Sequence, residues 1–139
     1  MGNMAILPRK AILAVAAVID IALHAKGRPV SAKALAARHG LPPRHLEPVL
    51  QAFVRDGILK GIRGPGGGYE LAREPREITA EDILRAAGTV DDGAGDAQAS
   101  SQLVSTVVVP ALSEAERAFS KVLAQVSVAD MVRRAGFAS

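Results

Sequence analysis

The chain has 139 residues, contains no cysteine, and carries 17 Lys and Arg against 14 Asp and Glu. This length allows one domain, with or without an appended element for self-association. The absence of cysteine excludes disulfides, thiolate zinc sites, thiolate-ligated iron–sulfur clusters and a cysteine nucleophile, and it fits a cytoplasmic protein.

The charge is divided unevenly along the chain. Residues 1–76 contain twelve Lys and Arg against five Asp and Glu, a net charge of +7, whereas residues 77–139 contain five against nine, a net charge of −4. This asymmetry favours a polyanionic partner for the first half. From charge alone, an ordinary solvated surface is an equally good explanation.

The first predicted helix runs from Pro8 to about Ala25. Apolar residues on more than one of its faces predict burial by two different neighbours. The apolar run could pass for a targeting segment, but Asp20 interrupts it and about 20 apolar residues are needed to span a bilayer, so we expect no membrane association. The residues that recur at helical spacing are Ile12, Val15, Ile19 and Leu23.

A helix-turn-helix is predicted next. Ser31 should cap a second helix from Ala32 to Arg38, and Gly40 makes a turn into a third helix that runs from Pro42-Pro43 to about Asp56. Pro48 lies inside the third helix and should bend it or tighten its first turns. The residues expected to face inward on the third helix are Leu46, Leu50, Phe53 and Val54.

A two-stranded hairpin is predicted after the third helix. Ile58–Ile62 and Tyr69–Leu71 should form its strands around the loop at residues 63–68. A helix-turn-helix followed by such a hairpin is a winged helix, so the predicted fold class is mostly α with a small two-stranded β wing. Thr79 with Asp82 predicts a capping box that opens a further helix to Ala87.

The C-terminal part should contain a long helix for dimerisation. Residues 88–101 are small, polar and acidic, which predicts a flexible linker or effector loop after a winged-helix domain at residues 4–87. Gln102–Val126 should be helical, with Pro110 as a kink or as the true start. Ser127 with Asp130 should cap a short last helix through Arg134, which completes a dimerisation segment at residues 102–135. The proposed dimerisation residues form an apolar stripe that should pack on the first helix and on a second copy: Val104, Val108, Leu112, Phe119 and Val122.

The third helix carries polar side chains near its start. A helix that enters the major groove of DNA needs such donors and acceptors for base edges. Glu47 is an unusual choice because phosphates repel a carboxylate. It fits if it accepts a hydrogen bond from cytosine or pairs with an arginine, and a merely solvated Glu47 stays open as an alternative.

The wing loop combines glycines with a cation. The glycines let the loop approach a sugar–phosphate backbone and leave Arg63 free to enter the narrow minor groove, although they also suit a simple tight turn. Lys60 and Arg73 flank the loop and could neutralise phosphates. The residues predicted to contact double-stranded DNA are Arg9, Lys10, Arg44, His45, Glu47, Gln51, Lys60, Arg63, Gly64, Gly66 and Gly67.

The run Arg63-Gly64-Pro65-Gly66-Gly67-Gly68-Tyr69, preceded by Leu46-Glu47, resembles the Rrf2 (Rrf-two, IscR-like) family of bacterial winged-helix transcription regulators. The resemblance extends from about Lys10 to Gly88 and is weaker beyond. It implies a homodimer on a pseudo-palindromic operator, with the third helix in the major groove, the wing in the minor groove and the long helix crossing its partner. It carries Arg44, His45 and Glu47 over as major-groove readers, and Arg63 with Gly64 to Gly67 as the wing tip.

The chain departs from that family at one point. Well-known members carry three cysteines before the long helix and use them to hold an iron–sulfur cluster, whereas residues 90–101 contain none. We therefore expect no cofactor or metal, and either another signal or constitutive binding. The three histidines are too scattered for a metal motif, and we interpret His24 and His39 as partners of helix C-termini.

The expected function is sequence-specific transcription regulation, as a repressor. A phosphate-binding enzyme is disfavoured because the glycine-rich loop lacks the Lys-Ser/Thr ending of a P-loop and lies between two strands. The alternative is a winged-helix module that docks a partner enzyme or regulator through the apolar stripe of the long helix.

Overall fold

The computed structural model describes residues 8–88 and 102–138. Two antiparallel strands and a largely helical remainder confirm the predicted mostly α fold with a two-stranded wing. Of the predicted linker at residues 88–101, Gly88 instead ends a helix, and residues 89–101 lie outside the described residues. The elements are α1 (Arg9–His24), α2 (Ala32–His39), α3 (Pro43–Arg55), β1 (Leu59–Ile62), β2 (Gly68–Leu71), a 3-10 turn (Pro75–Glu77), α4 (Ala80–Gly88), a π-helical turn (Val104–Val108), α5 (Val109–Leu123) and α6 (Val128–Ala138).

The helix-turn-helix begins and turns where the sequence predicts. The backbone N–H of Ala34 donates to Oγ of Ser31 at 3.0 Å, which caps α2. Gly40 follows α2 in the left-handed conformation, with φ of 66°, and so reverses the chain toward α3. α3 continues through Pro48 and buries Leu46, Leu50 and Phe53 as expected.

α1 occupies the centre of the core and contacts α2, α4, α6 and β2. Burial by more than one neighbour is therefore confirmed, although none of the four residues that recur at helical spacing is fully buried. Ile12 is 40% exposed, and Val15, Ile19 and Leu23 are only partly buried. The neighbouring elements instead cover another face of the helix, on which Ala14 and Ala17 permit close backbone approach. The fully covered apolar residues are Ala14, Ala17, Val18 and Ile21.

The long helix differs from its prediction in packing, whereas its start agrees with one of the two predicted roles of Pro110. α5 contacts α4, whereas it is α6 that packs on α1, so the expected packing of the stripe on the first helix is wrong. Pro110 lies in the first turn of α5, directly after the π-helical turn. Because proline lacks the N–H of a regular helical hydrogen bond, it marks the start of the regular helix. α6 extends to Ala138, beyond the predicted end at Arg134.

A small backbone bridge fixes the beginnings of α4 and α6 side by side. Thr79 and Ser127 pair as an isolated antiparallel bridge. Both predicted capping boxes are confirmed, since Thr79 and Asp82 exchange hydrogen bonds at 3.1 Å and Ser127 and Asp130 do so at 3.0 Å. The backbone and side-chain hydrogen bonds from Ser127 hold the pKa of Asp130 below its usual range. The C-terminal helix is thus attached to the winged helix at a defined point.

A buried carboxylate joins α1 to α2. Asp20 is 7% exposed, and Arg38 donates to both of its oxygens, from Nη2 at 2.7 Å and from Nε at 2.9 Å. Nε2 of His39, in the last turn of α2, donates to the same carboxylate at 3.0 Å. Nδ1 of His24 does bond to a carbonyl in the last turn of its own helix, that of Asp20, at 2.9 Å.

The charged neighbours keep this carboxylate ionised. Burial by itself raises the pKa of Asp20, but hydrogen bonding and charge from Arg38, helped by His39 and His24, outweigh the burial and lower the pKa below 3.8.

No helix in residues 8–88 and 102–138 is long and apolar enough to cross a bilayer.

Asp20→Asn should lower the free energy of unfolding by about 2 kcal/mol, because it leaves the Arg38 guanidinium without its charged partner. Chemical denaturation measures the change. The matched control is Glu74→Gln, which removes the charge of an exposed pair with Arg76 and should cost less than about 0.5 kcal/mol. Equal effects of the two substitutions would contradict the assigned role of Asp20.

The same variant should change the response to acid. Since the folded-state pKa of Asp20 is lowered, its contribution to stability is complete above the unfolded-state pKa near 3.8 and is lost as the pH falls through the lower value. Below about pH 4 the wild-type free energy of unfolding should therefore decrease more steeply than that of Asp20→Asn. Parallel curves of unfolding free energy against pH for the two proteins, from pH 5 to pH 2, would show that the Asp20 carboxyl does not cause the loss of stability in acid.

Candidate nucleic-acid interface

α3 presents a polar face to solvent on the side opposite its buried residues. Arg44, Glu47 and Gln51 are exposed and spaced at i, i+3 and i+7, which places them along one side of the helix. His45 is exposed beside Arg44. Within residues 8–88 and 102–138, Arg44 and Glu47 make no ion pair with each other or with another side chain. The three predicted readers and Gln51 are therefore all exposed on α3.

The wing ends in a tight turn built from residues with special backbone preferences. The strands pair antiparallel, from Leu59 opposite Leu71 to Ile62 opposite Gly68. The N–H of Gly67 donates to the carbonyl of Gly64 at 2.8 Å. Proline followed by Gly66, with φ of 80°, fits the two central positions of a type II turn. Arg63 is exposed directly before this turn.

The wing is held against the start of the helix-turn-helix by close backbone contact. Tyr69 and Val30 exchange two backbone hydrogen bonds, at 2.8 and 3.0 Å. A Cβ added to Gly68 would lie 2.3 Å from the carbonyl oxygen of Val30, and one added to Gly67 would lie 2.2 Å from that of Ile62. These glycines are needed because no side chain fits between the segments.

An open cleft of about 430 Å³ separates α3 from the wing. At its edge, Nε2 of Gln51 donates to the hydroxyl of Tyr69 at 3.5 Å. Tyr69 therefore touches all three parts of the surface, through its backbone bonds to Val30, its place in β2 and its hydroxyl next to α3. The residues that line the cleft are Gln51, Val54, Gly61, Ile62, Arg63, Gly68 and Tyr69.

Several predicted cations lie elsewhere or are engaged within the protein. Lys60 is 3.7 Å from Glu70, its cross-strand neighbour. Arg73 donates to the backbone carbonyls of Gly57 and Glu77, so its guanidinium fastens the chain around β1 and β2. Arg9 and Lys10 begin α1, on a different element from α3 and the wing.

Sequence reasoning missed two features of this surface. Exposed cations lie before and within the first turn of α2: Lys26, Arg28 and Lys33. Their signal was a group of basic residues next to a capped helix N-terminus, where anions bind favourably. The position of Tyr69 between wing and helix left no signal in the sequence.

Comparisons with known proteins agree on one family. Residues 7–134 match the family model of Rrf2, described as an iron-dependent transcriptional regulator. The chain is 33% identical over 78 residues to the HTH-type transcriptional regulator IscR of Photorhabdus laumondii, which covers 56% of this chain and 48% of the relative. The chain spans about half the length of the curated relatives it matches.

Solved structures show the same fold over nearly the whole chain. IscR of T. potens superimposes with a TM-score of 0.70 at 33% identity, covering 93% of this chain and 87% of that one. CymR, the global cysteine regulator of B. subtilis, superimposes with a TM-score of 0.67 at 24% identity, covering 96% and 98%. These likenesses confirm the winged-helix interpretation.

The residues of this chain do not fit an iron–sulfur cluster. Such clusters are held mainly by cysteine thiolates, and the chain has no cysteine. In the part of the chain that the structure describes, no three His, Asp or Glu side chains are grouped so that they could hold a metal ion. The iron dependence in the family description therefore has no matching donor set among residues 8–88 and 102–138.

Gly68→Ala should lower the free energy of unfolding by about 2 kcal/mol, because the new Cβ would force the wing away from Val30. Gly61→Ala is the matched control in the opposite strand, where a Cβ would be 4.0 Å from the ring of Tyr69, and it should change the stability by less than about 0.5 kcal/mol. Thermal or urea unfolding compares them. A well-tolerated alanine at position 68 would contradict the close approach of wing and helix-turn-helix.

Proposed function

The chain belongs to the Rrf2 family of transcriptional regulators, and from that premise we propose that it binds double-stranded DNA sequence-specifically, as a homodimer on a pseudo-palindromic operator, and represses transcription. The observation that carries the proposal is the polar face of α3 beside a glycine-built wing tip that bears Arg63. A helix fits the major groove, and a thin cationic loop fits the neighbouring minor groove. The family is one of regulators and is not an enzyme class.

The roles of the exposed residues follow from their chemistry. Arg44 can donate two hydrogen bonds to a guanine or clamp a phosphate. Glu47, one turn further along α3, is negatively charged and is therefore repelled by phosphates. Its role is to accept a hydrogen bond from a cytosine amino group. Arg63 supplies positive charge where the negative potential of a narrow minor groove is strongest.

The exposed apolar side chains of α5 support self-association. Leu112 is 64% exposed and Val122 is 62% exposed, and α5 buries none of its residues within the described chain. Water contact with such a surface is unfavourable, and a second copy would remove it. An isologous pair of helices also gives the two-fold symmetry that a pseudo-palindromic operator requires.

We further infer a regulator without an iron–sulfur cluster that acts in the cytoplasm. The lack of thiolate ligands supports the cluster-free state. The proposed target supports the location, since the genomic DNA of a bacterium lies in its cytoplasm. Purified protein should therefore be colourless. A visible charge-transfer band with stoichiometric iron would contradict the cluster-free state.

The exposed face of α5 also favours one alternative, a module that docks a partner protein. Salt separates the two functions. A DNA complex with several phosphate contacts loses affinity steeply as the salt concentration rises. For each phosphate contact, the binding constant falls by about 0.9 logarithmic units per tenfold increase in salt. An apolar docking face shows no such loss.

Arg63→Ala and Glu47→Ala should weaken the DNA complex in different ways. Loss of Arg63 should reduce affinity for all sequences, because a cation in the minor groove is attracted by any duplex. Loss of Glu47 should instead relax the base preference at one position per half-site, by about 1–3 kcal/mol between sites. Titration of each variant against a duplex selected from a random-sequence library, and against its single-base variants, measures both effects.

A uniform loss for both substitutions would contradict base reading by Glu47. No binding of any duplex by the wild-type chain, at low salt and with the fold intact, would remove the proposed function itself.

Leu112→Asp should shift the protein toward the monomer, because a carboxylate would be placed within the apolar dimer surface. Sedimentation measures the oligomeric state, and the operator affinity should fall in parallel since only the dimer reaches both half-sites. The control is Glu114→Lys, which changes charge on the same helix outside the apolar stripe and should leave the dimer intact. An unchanged mass for Leu112→Asp would place the dimer contact elsewhere.

A further inference from the structure

The cleft between α3 and the wing combines apolar walls with hydrogen-bond donors. Val54 and the 41% exposed Ile62 contribute apolar surface. Gln51, Tyr69 and Arg63 contribute N–H and O–H groups at the same cleft. An apolar wall suits the carbon face of a deoxyribose, and donors with one positive charge suit a phosphodiester.

The two reading elements must enclose a DNA strand between them. The major groove and the adjacent minor groove are separated by one sugar–phosphate backbone. If α3 occupies the first groove and the wing the second, that backbone passes through the cleft. The cleft is therefore where a phosphate meets the protein from both sides.

The hydrogen bond between Gln51 and Tyr69 prepares a donor for such a phosphate. The Tyr69 oxygen accepts from Nε2 of Gln51. A phenol has a single hydroxyl hydrogen, and because the oxygen serves as acceptor toward Gln51, that hydrogen is left to donate elsewhere. Phosphate oxygens only accept hydrogen bonds, so they are the matching partner.

The same contact argues against base reading by Gln51. A glutamine that reads adenine uses its amide oxygen and nitrogen together on one base edge. Here the amide nitrogen is turned to the wing, at 3.5 Å from the Tyr69 hydroxyl. Gln51 is thus oriented along the cleft, unlike Arg44 and Glu47 nearer the helix start.

We propose that Gln51 and Tyr69 together bind one phosphate of the DNA strand that separates the two grooves, and that they thereby fix the wing relative to α3 on the duplex. Gln51 is then a backbone contact, and Tyr69 is a DNA-binding residue. This inference rests on the proposed function.

Single neutral phosphates test the site. Each phosphate of a half-site in a library-selected duplex is replaced in turn by a methylphosphonate, and the affinity of the wild-type full chain is compared with that of Tyr69→Phe, which keeps the ring. At one phosphate between the contacted grooves, neutralisation should cost the wild type about tenfold in affinity and the variant less than about threefold, because the variant lacks the donor. At the remaining phosphates both proteins should lose equally, which provides the internal control.

Gln51→Leu provides a second measurement that does not depend on the phenol. It should reduce affinity for all single-base variants of the duplex by a similar factor and should show the same reduced sensitivity at the same phosphate. A change of base preference at one position would instead make Gln51 a base reader and overturn the proposal. Thermal unfolding of both variants verifies that the fold is retained.

The failures of the two proposals are distinguishable. Binding of the selected duplex with equal methylphosphonate losses for wild type and Tyr69→Phe at every position overturns only the phosphate site. Absence of binding to any duplex overturns the function, and the phosphate site with it.

Discussion

The arrangement of the whole surface depends on one buried ion pair. Asp20 lies in the middle of the central helix, and Arg38 reaches it with two hydrogen bonds from the end of the next helix. A carboxylate removed from water is tolerated only with such a partner, so the pair selects a single relative position of α1 and α2. Since α3 follows α2 after a short turn at Gly40, this contact between α1 and α2 also sets the orientation of α3.

The wing is positioned by a different constraint, the space available to the backbone. Gly67 and Gly68 lie so close to the carbonyls of Ile62 and Val30 that no other residue can replace them without movement. A buried ion pair therefore positions α3, and steric exclusion positions the wing. α3 and the wing meet at Tyr69. Its backbone takes part in the close packing of the wing, and its hydroxyl approaches Gln51 on α3.

Most of the fold could be predicted from local patterns, because caps, glycines and apolar spacing act over a few residues. Ser31, Gly40 and both capping boxes behave as their sequence context indicates. Two of the misses depend on contacts distant in sequence. Asp20 is recognisable only as an interruption of an apolar run until Arg38, 18 residues away, is placed beside it. Arg73 likewise looks like a phosphate ligand until Gly57 and Glu77 are brought within its reach.

The C-terminal segment is attached to the winged helix at the Thr79–Ser127 bridge, so α5 can tilt about this point. Shortly after α5 ends, two backbone hydrogen bonds of 2.7 Å join the chain to the winged helix, from the N–H of Ala80 to the carbonyl of Val126 and from the N–H of Val128 to the carbonyl of Ile78. A helix of 15 residues is about 22 Å long, so a tilt of about 10° at this pivot displaces the far end by about 4 Å. If two copies pair and bind DNA as proposed, a small change in the crossing angle of their α5 helices alters the separation of the two α3 helices, and with it the register between protein and duplex.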